Sequence, residues 1–218
     1  MSSEIDFPPQ IGAEARIEAI QWDGKPAIRK IRVPKSYRNP ELDMLLRSRR
    51  TRSEVEAMHT AKLAGVDTPK IYMADPARAE IIMEYVKGTT LKQLEKSNSY
   101  FEKLGEYAAR LHSSGLVHGD LTTKNAIGLG ERLVLIDFGL SFSSNRIEDR
   151  AEELHLLKQA LKSACTPSAA KNNFECALRG YESVSGIEER KKIQNQIAQI
   201  ELRGRYARVD GVLLRDRE

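Results

Sequence analysis

Residues 117–139 read VHGDLTTKNAIGLGERLVLIDFG. Within this short run lie His118-Gly119-Asp120, then Asn125, then a hydrophobic stretch that ends in Asp137-Phe138-Gly139. Phosphoryl transfer from ATP asks little covalent chemistry of a protein; it needs positioned phosphates, a bound metal and an oriented acceptor. A loop carboxylate can orient the acceptor, and an asparagine and a second aspartate can hold the metal. The order H-R-D-L-x-x-x-N followed by D-F-G is the signature of that arrangement. Asp120 is therefore the candidate base, and Asn125 and Asp137 the candidate Mg²⁺ ligands. Phe138 is expected to pack inward, with Gly139 allowing a sharp turn. Either tripeptide alone fits an ordinary loop, so the joint spacing carries the reading.

The rest of such a site must lie upstream. Lys30 closes Ala27-Ile28-Arg29-Lys30, in the position of V-A-I-K, on an alternating strand where it shares a face with Ile28 and Arg32. A lysine on a buried strand face is unusual unless paired. Glu54, on the following helical stretch, is the expected partner, whereas Glu56 faces elsewhere. Gly12 and Ala13 supply a reduced phosphate loop with one glycine in place of three. Met83, Glu84 and Tyr85 occupy the hinge, where backbone groups would meet adenine. Ile11, Ile28, Met83 and Ile136 are candidate walls of the adenine pocket, although each would also suit an ordinary core.

Periodicity divides the chain. Alternation up to about Tyr85 predicts a strand ending near Ile11, then strands over 15–21, 27–33, 70–74 and 80–85. Asp23-Gly24 is a type I′ hairpin signal. Residues 40–64 read as helical, with a capping box at Thr51-Arg52-Ser53-Glu54 and an apolar face of Val55, Met58, Ala61 and Leu63. Gly65 would close that helix. Past Gly88, helices dominate: one ending at Gly115, then 147–164, 168–181 and 187–203, with two short strands around Gly130. The expected fold is α+β, a minimal bilobal kinase-like unit. Residues 1–87 form a small antiparallel-sheet lobe with five strands and one regulatory helix. Residues 88–218 form a reduced helical lobe with the catalytic loop, DFG and a basic C-terminal tail.

Composition narrows the context. Two cysteines, Cys165 and Cys176, are too few for a disulfide framework and predict reduced thiols. No secretory signal and no run of about 20 apolar residues is present, so a cytoplasmic protein without a membrane span is expected. The net charge is only +4, but basic residues crowd 25–52, including Arg47, Arg49, Arg50 and Arg52, and recur at Arg203, Arg205 and Arg208. Such patches suit a phosphate-rich partner or a solvated surface.

Three features depart from an ordinary protein kinase. The loop reads His-Gly-Asp, with no arginine to receive an activation-loop phosphate. About ten residues separate Gly139 from the next helical signal at Asp149, with no A-P-E element. Thr122 stands where a loop lysine is usual, with Lys124 as a substitute. The ATP machinery is present and the peptide platform is not.

With Pro34-Lys35-Ser36-Tyr37-Arg38-Asn39-Pro40 after the strand lysine, Arg49-Arg50-Thr51 before Glu54, Gly12-Ala13-Glu14-Ala15, and Asp137-Phe138-Gly139-Leu140-Ser141, the chain resembles the small atypical Ser/Thr kinase of the KEOPS complex, the PRPK-like family. The resemblance implies an ATP-dependent kinase and ATPase supporting threonylcarbamoyl-adenosine formation in tRNA. It implies contact with the complex's catalytic metal-ATPase subunit and a small regulatory subunit, and it makes Lys30, Glu54, Asp120, Asn125 and Asp137 the functional set. Arg49, Arg50, Arg203 and Arg205 would then meet tRNA phosphates, with no motif for reading bases. Two positions depart: the tail continues past Arg203-Gly204-Arg205, and Glu153 replaces the usual aspartate of the anchoring helix, implying a longer hydrogen bond. The alternatives are an aminoglycoside-type phosphotransferase, which shares HGDLxxxN, and an ATP-binding scaffold without required turnover.

Overall fold

The computed structural model describes residues 10–12, 14–94 and 98–213, with Gln10, Ile11 and 204–213 described by backbone path alone. Strands β1 (Gln10–Ile11), β2 (Ala15–Trp22) and β3 (Lys25–Arg32) lead into helix α1 (Pro40–Leu63), followed by β4 (Ile71–Asp75) and β5 (Glu80–Glu84). They form one antiparallel sheet in the order β1-β2-β3-β5-β4. The β2–β3 hairpin turns on Asp23 and Gly24, with φ of 49° and 70°, the pair of positive values that a type I′ turn requires.

Helix α1 corrects one expectation. It starts at Asn39, whose side chain accepts hydrogen bonds from the N–H groups of Glu41 (2.9 Å) and Leu42 (3.3 Å), with Pro40 in the first turn. The capping box at Thr51 does not form, because the helix is already under way there. Thr51 is buried mid-helix and its hydroxyl donates to the Arg47 carbonyl at 2.9 Å. Glu54 is thereby freed from a capping role. The packed face consists of Asp43, Thr51, Glu54, Ala57, Met58 and Ala61, while Leu63 is exposed. Gly65, at φ 75°, follows the helix end as expected.

Beyond β5 come β6 (Thr89–Thr90), α2 (Asn98–Ser113), β7 (Leu116–Val117), β8 (Ala126–Leu129), β9 (Arg132–Leu135) and β10 (Phe142–Ser143). Helices α3 (Ile147–Ala164), α4 (Pro167–Ser185) and α5 (Ile187–Leu213) complete the described chain. Both α4 and α5 outrun the lengths expected from periodicity. Thr166 caps α4 through the Ala169 N–H, and Gly186 at φ 85° separates it from α5. Helices α2 and α4 touch backbone to backbone. A Cβ on Gly105 would stand 1.8 Å from the Ala177 carbonyl oxygen, and one on Gly180 would stand 1.8 Å from that of Glu102. Around this contact Phe101, Leu104, Leu111, Leu154, Leu157, Phe174 and Tyr181 form the main core, which extends to Ala57, Met58 and Ala61 of α1. Among the described residues no helix is long and apolar enough to cross a membrane.

Candidate active site

A cleft of about 450 Å³ opens between the sheet and the β8–β9 hairpin. Ile17 and Ile28 line one wall; Met83, Glu84, Tyr85 and Val86 line the back; Lys124, Asn125, Ile127, Ile136 and Asp137 line the other wall, with Lys30 at its polar end. Six residues expected around a nucleotide from the sequence, Ile28, Lys30, Met83, Glu84, Tyr85 and Ile136, therefore share one cavity. Gly12 is not among its lining residues. Its N–H is committed to the Ala15 carbonyl at 2.9 Å, so it is not an open donor for phosphate. Ala13 lies outside the described residues, as does the side chain of Ile11.

At the polar end the charges are tightly organised. The Lys30 ammonium donates to Glu54 Oε1 at 2.5 Å and to Asp137 Oδ1 at 2.8 Å. Burial disfavours the Lys30 charge, but Glu54 and Asp137 outweigh it and hold its pKa above the ordinary lysine value. Burial likewise opposes the Asp137 charge, and Lys30 overcomes it to keep that pKa below the usual carboxylate value. Lys30 and Asp137 are therefore both held in their charged forms. Sequence reasoning placed Arg32 on the Lys30 face without giving it a role; its Nη2 donates to Glu54 Oε2 at 2.6 Å. Glu54 thus carries one cation on each oxygen.

The DFG turn differs from expectation in one respect. Asp137, not Gly139, takes the left-handed conformation, with φ of 61°. Gly139 supplies room: a Cβ there would lie 3.1 Å from Asp137 Oδ1, 3.2 Å from Arg32 Nη2 and 3.6 Å from Glu54 Oε2. Phe138 packs inward as expected, 1% exposed, with its ring 4.5 Å from that of His118.

The loop over residues 118–125 is fixed from below. Asn125 Nδ2 donates to the Asp120 carbonyl at 2.9 Å and to Asp120 Oδ2 at 2.7 Å. His118 is buried; its Nε2 bonds the Ile136 carbonyl at 3.2 Å and its Nδ1 accepts the Asp120 N–H at 3.3 Å. That pattern requires the neutral Nε2–H tautomer, and burial depresses the His118 pKa accordingly. Gly119 has φ of 80°, and a Cβ there would meet the Leu140 carbonyl oxygen at 2.2 Å, so the arginine usual at this position is sterically excluded. Glu153 accepts the Gly119 N–H at 2.7 Å, an ordinary length that removes the lengthening expected from its extra methylene. Its other oxygen bonds His112 Nε2 at 2.8 Å, and His112 Nδ1 lies 3.1 Å from the Tyr181 hydroxyl. This buried chain was not read from the sequence.

The donor set fits magnesium. Asp137 Oδ2 and Asn125 Oδ1 have no hydrogen-bond partner among the described residues, and both side chains line the cleft. No group of three or more His, Cys, Asp or Glu suited to a metal occurs among the described residues. A site of one carboxylate and one amide oxygen suits a hard cation that draws its remaining ligands from phosphates and water.

Comparison with known proteins places this geometry. The RIO domain family matches residues 30–158, which span the whole constellation from Lys30 to Glu153. The chain belongs to the RIO-domain family. Within it, the chain is 37% identical over 207 residues to the KEOPS complex subunit Bud32 of Pyrococcus abyssi, covering 89% of this chain and 94% of that protein, and it belongs to that protein's family as well. It is 42% identical over 205 residues to a probable bifunctional tRNA threonylcarbamoyladenosine biosynthesis protein of Methanothermobacter thermautotrophicus. That match covers 93% of this chain and 38% of the relative; the chain thus spans well under half of the bifunctional protein. The crystal structure of the Rio2 kinase from Chaetomium thermophilum superposes with a TM-score of 0.63 at 18% identity, covering 89% of this chain and 72% of that one. The RIO-domain chain accordingly has a minimal, bilobal, kinase-like α+β fold.

Proposed function

We propose that this chain is the ATP-using, kinase-like subunit of a KEOPS complex and supports threonylcarbamoyladenosine formation in tRNA. The observation that carries the reading is the Lys30–Glu54–Asp137 network at the mouth of a nucleotide-sized cleft, beside Asp120 and Asn125. The cleft lies between a sheet lobe, residues 1–87, and a helical lobe, residues 88–218. Ile28, Met83 and Ile136 sandwich the base near the 83–85 hinge. Lys30 holds phosphate oxygens and stays oriented by Glu54, while Asp137 and Asn125 hold Mg²⁺. Bound Mg²⁺ supplies neutralisation of phosphate charge. Asp120, oriented by Asn125, accepts the proton of a hydroxyl or water placed against the nucleotide.

The acceptor is a serine or threonine hydroxyl, of the chain itself or of a partner, or else water. From Gly139 the chain passes through β10 directly into α3, leaving little surface on which to lay a peptide. The output is therefore directed within the complex, toward the catalytic metal-ATPase subunit and the small regulatory subunit, in the cytoplasm. Arg49 is exposed and Arg203 is exposed on α5, and both suit tRNA phosphates. Arg50 is partly engaged by Glu14 at 2.8 Å; the Arg205 side chain lies outside the described residues.

The test is reconstitution with the partner subunits and tRNA, comparing Asp137→Ala with the unaltered chain. Loss of both ATP hydrolysis and tRNA modification is expected. Lost hydrolysis with undiminished modification would reduce the chain to an ATP-binding scaffold. Replacing Arg49, Arg50 and Arg205 should weaken tRNA binding and flatten its salt dependence; an unchanged slope would remove those contacts.

A further inference from the structure

In kinases the strand lysine and the helix glutamate must be brought together, and activation-segment phosphorylation commonly controls this. Here that lever is absent: Gly119 stands where the arginine that would receive such a phosphate is usual, and only residues 140–146 separate the DFG turn from α3. The Lys30–Glu54 pair is nevertheless formed, at 2.5 Å. Something else must hold α1 against the sheet.

Arg32 is placed to do so. Its side chain is 5% exposed and sits two residues beyond Lys30 on the same face of β3. Nη2 donates to Glu54 Oε2 at 2.6 Å, and Nη1 lies 3.7 Å from Glu14 Oε2, which also accepts from Arg50 Nη1 at 2.8 Å. The Arg32 carbonyl accepts a hydrogen bond from Arg47 Nη1 at 3.4 Å. Three residues of α1, Arg47, Arg50 and Glu54, are thereby tied to Arg32 or to Glu14, its neighbour just ahead of β2. Arg32 also abuts the DFG turn, where any side chain at position 139 would crowd its guanidinium.

A purely structural staple is an inefficient account of this arginine. Its Nε is buried without a partner, and an apolar side chain at such a position is commonly as stabilising as a buried ion pair. What an apolar residue could not do is hold the second oxygen of Glu54. With Arg32 on Oε2, Glu54 keeps its orientation when Lys30 turns from Asp137 toward phosphate.

We propose that Arg32 is a positioning residue that fixes Glu54, and through it Lys30, in the nucleotide-binding arrangement without any phosphorylation of the chain. The inference rests on the nucleotide site proposed above. The experiment titrates phosphatase-treated protein with a fluorescent ATP analogue in the presence of Mg²⁺ and measures ATP turnover on the same samples. Arg32→Met is expected to weaken nucleotide binding and lower kcat/KM by about tenfold or more, with Arg32→Lys recovering part of the loss. Because Arg32 acts through Glu54, Arg32→Met should add little in a Glu54→Gln background. Should Arg32→Met fail to fold, Arg32→Lys in the two backgrounds makes the same comparison.

Lys30→Met separates the two ideas. Weakened nucleotide binding in Lys30→Met with unchanged binding in the Arg32 variants overturns the role of Arg32 alone. Unchanged binding in Lys30→Met overturns the nucleotide site as well. An Arg32 effect of equal size in both Glu54 backgrounds, or turnover abolished by phosphatase treatment, also overturns the inference.

Discussion

In the sheet and α1, the buried positions include Lys30, Arg32, Asp43, Glu54 and Glu80; from α2 onward they are dominated by Leu104, Leu111, Leu154, Leu157 and Phe174, with Glu153 the buried carboxylate among the described residues there. The two regions solve different problems. Apolar packing is non-directional and close to crystalline in density, so it fixes a shape and resists change in volume. A buried ion network adds little net stability but is directional, and it fails when one partner is removed. The helical region is thus a rigid bed for the loop over residues 118–125. The sheet region is a set of aimed charges, of which Lys30 lines the cleft and Glu54 and Arg32 stand behind it. Substitutions in the first should act on stability, and substitutions in the second on function.

The largest effect should come from breaking the helical bed. Gly105→Ala places a methyl group where the Ala177 carbonyl stands, so α2 and α4 must separate; a loss of about 3 kcal/mol or more is expected in urea unfolding. An unchanged midpoint would contradict the backbone contact. Next in size is Glu153→Ala, which strips partners from His112 and the Gly119 N–H. It should cost about 2–4 kcal/mol in the same assay and lower turnover by loosening the Asp120 loop. Full activity in a destabilised protein would separate the chain Tyr181–His112–Glu153 from catalysis.

A smaller effect concerns pH. The folded pKa of His118 lies below its ordinary value of 6.5, so as pH falls the unfolded chain takes up the proton first. Stability present above pH 6.5 is therefore lost as pH falls from there toward the folded pKa, by up to about 1.4 kcal/mol per unit. His155 is shifted in the same direction, so the comparison is with His118→Asn, in which the slope should shrink. An equal slope in both proteins would contradict the buried neutral imidazole. The smallest effect is at Glu80, which is buried but pairs at 2.6 Å with Arg29, a partly exposed guanidinium. Glu80→Gln should cost about 1 kcal/mol or less with nucleotide affinity unchanged, showing that charges in the sheet matter to function only where they connect to Lys30.

Local signals in the sequence were read well because their causes are local. Asp23-Gly24 needs only two positive φ values, Gly115 ends a helix by its own conformation, and the spacing from Asp120 through Asn125 to Asp137 follows from one loop and one hairpin. Failures had two sources. The capping box at Thr51 obeyed the right rule in the wrong place, because Asn39 and Pro40 had already started a helix that ran straight through it. The second missed class is long-range. Arg32 with Glu54, His112 with Glu153, and Tyr181 with His112 are separated by 22, 41 and 69 residues, and periodicity carries no record of such partners. Gly119 stands between these cases: its departure from the usual arginine was visible, but its cause, the Leu140 carbonyl, required the fold.

The central claim is that the cleft performs ATP chemistry with Asp120 as its base. Its most direct test is Asp120→Asn, with Mg·ATP binding and turnover measured on one preparation. The account predicts affinity within about twofold of the unaltered chain and turnover lower by about a hundredfold or more. Turnover that survives this substitution unchanged would contradict it.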